Sequence, residues 1–294
     1  MFPDFLCIGA QKAGTTWLYQ NLDCHPNVWM PPHKEMHYFD DILPLPLIVS
    51  VWNPMTWWQR AKTIQRLLKP RNSTDAQNRH WYLRCLLFPR TDAWYASMFS
   101  PGKGQITGDI TPTYASIQES RVARVKALMP NVKIIYQLRN PIHRAWSQTA
   151  MHFGYWWSQS LRATKDEQIK RYLDRKSDSR DAHYVNNLKT WEKFFPQHQF
   201  HITFFDQLAQ NPREFLQNIY HFLDLDASEQ YIPQTVHEKR NTGQYPDIPD
   251  HFARYLARQY HEQIEQLHQQ FDNHYTANWL DSANQYLRAR PHKR

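Results

Sequence analysis

The chain has 294 residues, with 35 Lys and Arg against 27 Asp and Glu, so its formal net charge is +8. This length fits one large domain or two small ones, and a hydrophobic fraction of 41% allows a sizeable core. The positive charge suits an anionic partner, although it also serves solubility. Three cysteines are too few for a disulfide framework. No apolar run approaches the roughly 20 residues that span a bilayer, and the N-terminus shows no signal-peptide pattern, so we expect a soluble cytoplasmic protein with no membrane association.

Three short apolar runs predict buried strands, and a helical segment follows each of them. The strands are expected at Phe5–Ile8, Val132–Leu138 and Phe200–Phe205. The helices are expected at Thr15–Leu22, from Asn140 to about Phe153, and from Pro212 to about Leu223. Strands that alternate with helices in this way predict an α/β fold with a mostly parallel central sheet and helices on both sides.

The remaining segments are expected to complete one domain over residues 1–294. Residues 42–80 open with several prolines and carry Trp52, Trp57 and Trp58, which predicts an aromatic-rich insertion packed on the sheet domain. Apolar residues at three- and four-residue spacing predict a long helix at Phe252–Phe271. The basic residues 288–294 are expected to form a flexible tail.

The most informative motif is Gly9-Ala-Gln-Lys-Ala-Gly-Thr-Thr16, which lies between the first strand and the first helix. Glycines permit a tight turn, and the N–H groups at the start of a helix bind anions. Lys12 adds a positive charge and the two threonines add hydroxyl donors, so the motif predicts a phosphate-binding loop. An ATPase loop would end in Gly-Lys-Ser/Thr, whereas here Gly14 is followed by Thr15.

A second candidate anion site follows the second strand. Arg139 stands at the carboxyl end of that strand, where open α/β sheets bind ligands. Ser147 lies about two turns into the next helix, on roughly the same face as its start. By residue type and spacing, the pair fits either a shared anion or a structural ion pair or cap.

Together the two motifs resemble those of the sulfotransferases that use 3′-phosphoadenosine 5′-phosphosulfate (PAPS). The resemblance runs from Phe5 to about Leu280 with residues 42–80 outside it, and it implies a P-loop-like fold and PAPS as the cofactor, with no metal. Arg139 and Ser147, eight positions apart, match the family's 3′-phosphate motif, and Lys12 matches the lysine that contacts the leaving oxygen. The implied 5′-phosphosulfate loop consists of Gln11, Lys12, Ala13, Gly14, Thr15, Thr16 and Trp17.

Two further segments resemble parts of the same family. The basic loop Lys239-Arg-Asn-Thr-Gly243 is similar to a loop that closes over the nucleotide, which implies cofactor contacts from Lys239, Arg240 and Asn241. A solvated basic turn is the alternative interpretation. Arg144 matches a recurrent family position, and we expect a structural role for it.

The candidate base lies in Lys34-Glu-Met-His-Tyr-Phe39. This segment resembles the Lys-Glu-x-x-Phe-Phe segment of Golgi glycan sulfotransferases and their bacterial relatives, which implies that Glu35 is the general base. His37 is the alternative, because imidazole suits proton abstraction near neutral pH and the cytosolic branch of the family uses a histidine. The chain departs from some relatives at Ile110, where they have a lysine, and Asp109 is expected near the site.

These observations predict direct in-line transfer of a sulfuryl group from PAPS to a hydroxyl or amine of a glycan or small-molecule acceptor. A small-molecule or nucleoside kinase is one alternative, disfavoured because Gly-Lys-Ser/Thr is missing and the second strand ends in Arg139 instead of an acidic residue. A non-enzymatic protein that binds polyanions through its basic surface is the other. The acceptor itself stays open, and neither a nucleic acid nor a membrane is expected as a partner.

Overall fold

Five parallel strands form the central sheet, in the order β2-β3-β1-β4-β5. The computed structural model describes residues 1–40, 54–69, 78–156, 161–177, 179–238 and 246–288. Within these ranges the strands are β1 Phe5–Gly9, β2 Val28–Trp29, β3 Ile106–Ile110, β4 Lys133–Leu138 and β5 Phe200–Phe204.

Helices surround this sheet. They are α1 Thr15–Leu22, α2 Pro54–Leu68, α3 Arg79–Leu87, α4 Asp92–Ser97, α5 Glu119–Leu128, α6 Pro141–Met151, α7 Asp166–Ser177, α8 Tyr184–Glu192, α9 Phe205–Gln210, α10 Pro212–Phe222, α11 Asp250–Phe271 and α12 His274–Arg288. The predicted single α/β domain with a parallel sheet is therefore confirmed. None of the helices in the described ranges is long and apolar enough to cross a membrane.

The structure confirms the three predicted strands and adds β2 and β3. The sequence of β3, Ile-Thr-Gly-Asp-Ile, lacks the apolar run that marks a buried strand. Its glycine is required by packing, since a Cβ at Gly108 would lie 2.0 Å from the ring of Phe5 on the neighbouring strand. Glycine and aspartate are depleted in strands, so tertiary packing overrides local propensity at this position.

Alternate residues of β1 point to opposite faces of the sheet. Leu6 and Ile8 belong to one apolar cluster, whereas Phe5 and Cys7 belong to the other. All four side chains are fully buried. The sheet is thus covered on both faces, as is usual for parallel sheets.

The start of α6 matches the sequence expectation for a capped helix. The Asn140 side chain accepts a hydrogen bond of 2.9 Å from the Ile142 N–H, and Pro141 occupies the first helical position. This cap fixes the direction in which the chain leaves β4. Arg139 therefore stands at a defined turn between strand and helix.

The predicted insertion at residues 42–80 is described in part. Its helix α2 docks beside the candidate base: Thr63 hydrogen-bonds His33, and Arg66 Nη1 donates to the Pro32 carbonyl at 2.6 Å. Residues 42–53 and 70–77 lie outside the described residues, as do the side chains of Trp57 and Trp58. The extent of the domain over residues 1–294 and the bounds of the insertion therefore stay predictions.

Candidate active site

The loops that follow β1, β3 and β4 lie side by side at the carboxyl edge of the sheet. The Ala10 N–H donates to the Gln137 carbonyl at 2.7 Å, which ties the loop after β1 to β4. The Thr111 N–H donates to the Cys7 carbonyl at 3.1 Å, which ties the end of β3 to β1. Open α/β sheets bind their ligands at this edge, and the predicted phosphate loop lies there.

The loop at residues 10–14 turns through two left-handed residues before α1 begins. Lys12 has a φ of 69° and Gly14 a φ of 91°. Gly14 is the N-cap residue of α1, and its carbonyl accepts a hydrogen bond of 3.1 Å from the Leu18 N–H. The N–H groups of the first turn of α1 therefore lie at the loop, where the positive end of the helix dipole favours an anion.

Lys12 carries a positive charge in this loop, and two other positive charges act on it. Burial lowers the pKa of Lys12, and the nearby charges of Arg139 and Lys34 lower it further. Like charges brought this close repel one another, and an anion bound between them relieves the repulsion. The electrostatics of the loop therefore favour a phosphate or phosphosulfate group.

Arg139 is held directly against the loop. Its Nη1 donates to the Lys12 carbonyl at 2.8 Å, and its guanidinium lies 4.5 Å from the centroid of the Phe205 ring. Ser147 lies on α6 and is 2% exposed. The structure therefore brings Lys12 and Arg139 together, and it places Ser147 on the helix that begins beside Arg139.

A network that the sequence analysis missed links the loop to α6. Gln148 Nε2 donates to Gln11 Oε1 at 2.7 Å and to Asp181 Oδ2 at 3.1 Å. Arg144, which is 1% exposed, donates to Gln148 Oε1 at 3.3 Å and lies 3.9 Å from Asp181. The buried Arg144 thus has the structural role that was expected of it. Gln148 is adjacent to Ser147 in the sequence, but no motif marks it.

The other predicted loop residues differ in their surroundings. Ala13 and Thr15 are buried beneath the loop. The indole of Trp17 is 4% exposed, packs against Phe215 and donates to the Val236 carbonyl at 3.0 Å. Its side chain therefore belongs to the core below the loop. Lys239, Arg240 and Asn241 lie outside the described residues.

Gly14→Ala is expected to destabilise the protein and to weaken its binding of nucleotides. The added Cβ would lie 2.7 Å from Leu208 Cδ2 and 3.0 Å from Gln137 Nε2, and a φ of 91° strains any residue with a side chain. Thermal unfolding and nucleotide affinity are the measurements. Gly104→Ala is the matched control, because that glycine also has a φ of 91° but has nothing within 4 Å of its added Cβ. Equal losses from both variants would show that packing around Gly14 is unimportant.

The candidate base forms part of a chain of charged groups. Glu35 Oε1 pairs with Lys34 Nζ, and Glu35 Oε2 lies 3.4 Å from His37 Nε2. His37 Nδ1 lies 2.7 Å from Asp40 Oδ2, and the same oxygen accepts a hydrogen bond from Thr113. Asp40 and Thr113 were not predicted. They complete an arrangement in which the imidazole is bracketed by two carboxylates.

These contacts set opposite protonation states for Glu35 and His37. Burial raises the pKa of Glu35, but Lys34 and His37 outweigh that effect and lower it to about 2. Burial lowers the pKa of His37, but its hydrogen bond to Asp40 and its ionic contact with Glu35 outweigh that effect and raise it to about 10. At neutral pH Glu35 is therefore a carboxylate that can accept a proton, whereas His37 is an imidazolium that cannot.

Asp109 supports the site from beneath. Its carboxylate is 1% exposed and accepts hydrogen bonds from Thr111 at 2.7 Å and from Tyr95 and Tyr114 at 2.9 Å. It also accepts a bond of 3.4 Å from the Met36 N–H. The residue lies near the site as expected, but its oxygens are engaged by structural partners, which makes it a support for the Glu35 loop.

Comparisons with known proteins show which family this chain resembles. The family described as "Sulfotransferase family" matches residues 3–229. The bifunctional heparan sulfate N-deacetylase/N-sulfotransferase of Drosophila melanogaster is 25% identical over 299 residues, which cover 88% of this chain and 25% of that protein. Heparan sulfate glucosamine 3-O-sulfotransferase 6 of Homo sapiens is 26% identical over 227 residues, which cover 76% of this chain and 53% of that protein.

Among solved structures, a sulfotransferase from Alicyclobacillus acidocaldarius has the same fold. It superposes with a TM-score of 0.63 at 21% identity, over 95% of this chain and 99% of that chain. The chain spans between a quarter and about half of the length of the two curated relatives. Because the family match extends over most of its length, from the strand that precedes the phosphate loop to beyond α10, the chain belongs to the sulfotransferase family.

Proposed function

We propose that the protein transfers a sulfuryl group from PAPS to a hydroxyl or amine of an acceptor. The observation that carries the proposal is the pairing of two features at one sheet edge. The charges of Arg139 and Lys34 act on Lys12 in the loop that leads into α1, and an ionised Glu35 pairs with the same Lys34. The first feature suits the phosphosulfate end of the nucleotide, and the second suits the proton of the acceptor.

A buried glutamine beneath the phosphate loop also fits a bound nucleotide. Gln137 is fully buried on β4 beneath Gly14, and its side-chain amide has no hydrogen-bond partner among the described residues. Buried polar groups without partners are rare. A ligand or a water at the phosphate loop would supply one. We assign Gln11, Lys12, Gly14, Thr15 and Thr16 to the 5′-phosphosulfate, and Arg139 and Ser147 to the 3′-phosphate.

In the proposed reaction Glu35 accepts the proton of the acceptor group as its oxygen or nitrogen bonds to sulfur. PAPS supplies the sulfuryl group, and the bond from sulfur to the bridging phosphate oxygen breaks with its electron pair left on that oxygen. Lys12 lies where it can stabilise the new negative charge. His37 stays protonated and keeps Glu35 ionised before transfer. The products are the sulfated acceptor and 3′-phosphoadenosine 5′-phosphate (PAP).

For the acceptor we propose an amino-sugar-containing glycan in preference to other small molecules. The two curated relatives are named as acting on heparan sulfate, one as an N-sulfotransferase and one as a glucosamine 3-O-sulfotransferase. A net charge of +8 also suits an acidic glycan. Glu35 favours a hydroxyl acceptor, because a hydroxyl needs a base for attack whereas a neutral amine already carries its lone pair.

Thermal stabilisation by nucleotides tests the cofactor assignment. PAP is expected to stabilise the protein more than AMP, because Arg139 and Ser147 contact only the nucleotide that carries a 3′-phosphate. A ligand that binds only the folded state adds about 2.7 kcal/mol of stability when its concentration is 100 times its Kd. Equal stabilisation by AMP and PAP contradicts the 3′-phosphate assignment. Stabilisation and turnover with ATP and magnesium, but not with PAPS, would instead favour a kinase.

A further inference from the structure

The loop that carries Glu35 and His37 adopts a backbone conformation that its residues do not favour. Glu35 has a φ of 70° and His37 a φ of 50°. Positive φ brings the Cβ of an L-residue too close to its own backbone, which is unfavourable. Such conformations persist only where surrounding contacts hold them. The contacts of this loop therefore show which residues aim the two side chains.

Arg90 makes two of these contacts. It lies between α3 and α4, far from the loop in sequence, and is 4% exposed. Its Nη2 donates to the Met36 carbonyl at 2.6 Å and to the His37 carbonyl at 2.7 Å. Its guanidinium also lies 5.3 Å from the centroid of the Trp94 ring. A buried arginine needs such partners, since an uncompensated charge in the core is strongly destabilising.

The two carbonyls that Arg90 contacts flank His37. The N–H groups on either side are held as well: the Met36 N–H donates to Asp109 Oδ1 at 3.4 Å, and the Tyr38 N–H donates to the Tyr114 hydroxyl at 2.8 Å. Backbone groups on both sides of His37 are thus fixed by buried side chains from other parts of the chain. A residue held in this way has one available orientation.

We propose that Arg90 is a positioning residue for sulfuryl transfer, which holds the Met36 and His37 carbonyls and thereby aims Glu35 and His37 at the reaction centre. This inference rests on the proposed function and deepens it, because it assigns the geometry of the base to a residue outside the phosphate and base motifs. Arginine suits the role because its rigid planar guanidinium can donate several hydrogen bonds at once. A lysine ammonium lacks that geometry.

The test combines Arg90→Met, Glu35→Gln and the double variant. Arg90→Met is expected to lower kcat by about 10²-fold, the typical effect of misplacing a reacting group by about 1 Å, with the affinity for PAP unchanged. In the Glu35→Gln background the same substitution is expected to change kcat little, because the base that Arg90 aims is already gone. Arg90→Lys is expected to restore part of the rate. A full additional loss in the double variant would overturn the proposal.

The titration of His37 provides a readout that does not depend on activity. NMR of histidine-labelled protein follows it, and the His37 signal is assigned by its loss in His37→Gln. The groups facing this imidazole are Glu35, Asp40 and Thr113. In the wild-type protein its pKa is expected near the value of about 10, and Arg90→Met is expected to lower it because the imidazole leaves the two carboxylates. A pKa unchanged in Arg90→Met would overturn the proposal even if the wild-type protein transferred no sulfuryl group.

Arg121→Met is the matched control. Arg121 also donates a hydrogen bond to a backbone carbonyl of the Glu35 loop, that of Phe39, at 2.7 Å. Phe39 follows Glu35 and His37, the two residues of positive φ, in the sequence. The control is expected to lose stability and to keep a kcat close to that of the wild type. If Arg121→Met lowers kcat as much as Arg90→Met does, any anchor of the segment has the same effect and Arg90 has no special positioning role.

Discussion

Replacing Glu35 with glutamine is expected to lower the rate of sulfuryl transfer to a hydroxyl acceptor by a factor of about 10² to 10⁴, the usual cost of losing a general base. Glutamine keeps the size of the side chain but cannot accept the proton. Because the proposed role of Glu35 concerns the acceptor and not the nucleotide, PAP affinity is expected to remain nearly unchanged. Steady-state kinetics with saturating PAPS and a titration with PAP measure the two quantities separately.

His37→Gln distinguishes the two candidate bases. The imidazolium lies between Glu35 and Asp40 and helps to keep Glu35 ionised. In His37→Gln, Glu35 still has Lys34 as an ionic partner. This substitution is therefore expected to lower kcat less than Glu35→Gln does. The opposite ranking, with near-native turnover in Glu35→Gln and none in His37→Gln, would make the histidine the base. If neither substitution matters, either the acceptor is an amine that is already deprotonated or another residue is the base, with Asp109 the next to be tested.

The pH dependence provides an independent measure of the same assignment. A neutral histidine base would make kcat fall below a pH of about 6.5. With the pKa of Glu35 at about 2 and that of His37 at about 10, neither group changes its charge between these values, and no such fall is expected. For stability the sign follows from the shifts. The raised pKa of His37 contributes stability below its ordinary pKa, and this contribution is lost as the pH rises through about 10.

The sequence was most informative where function and local structure coincide. The phosphate loop could be predicted because its glycines, lysine and threonines are contiguous and lie between an apolar strand and a helix. The strand β3 could not, because Gly108 packs against Phe5 and Asp109 holds the Glu35 loop, and both contacts exist only in the folded chain. Both residues are unfavourable in strands, so no local pattern marks the strand.

The residues that support the site could not be predicted from the sequence. Arg90, Gln148 and Asp181 act through contacts that exist only after folding, and each is an ordinary polar residue in its own segment. Asp40 could more easily have been predicted as a partner of His37, since it follows His37 by three residues. The choice between Glu35 and His37 also needed structure, because it depends on charges placed around both side chains, whereas the motif supplies only their identity.

Replacing Lys12 with alanine is expected to lower both turnover and nucleotide affinity, which separates its role from that of Glu35. Lys12 lies in the loop that begins α1, with its carbonyl held by Arg139 at 2.8 Å and its ammonium near Arg139 and Lys34. Removal of one donor that stabilises developing negative charge typically costs about 10² to 10³ in kcat. In the proposed complex the same charge also contacts the ground-state nucleotide, so PAP binding is expected to weaken as well.

Lys103→Ala is a suitable control for Lys12→Ala, because Lys103 is an exposed lysine before β3 and its replacement changes the net charge equally. Its kcat and PAP affinity are expected to match those of the wild type. If Lys12→Ala raises only the KM for PAPS and leaves kcat intact, Lys12 binds the nucleotide without favouring the transition state. If it lowers kcat with PAP affinity unchanged, the lysine acts only on the leaving oxygen. A fall in both follows from one ammonium that stays beside the 5′-phosphate as its charge grows during transfer.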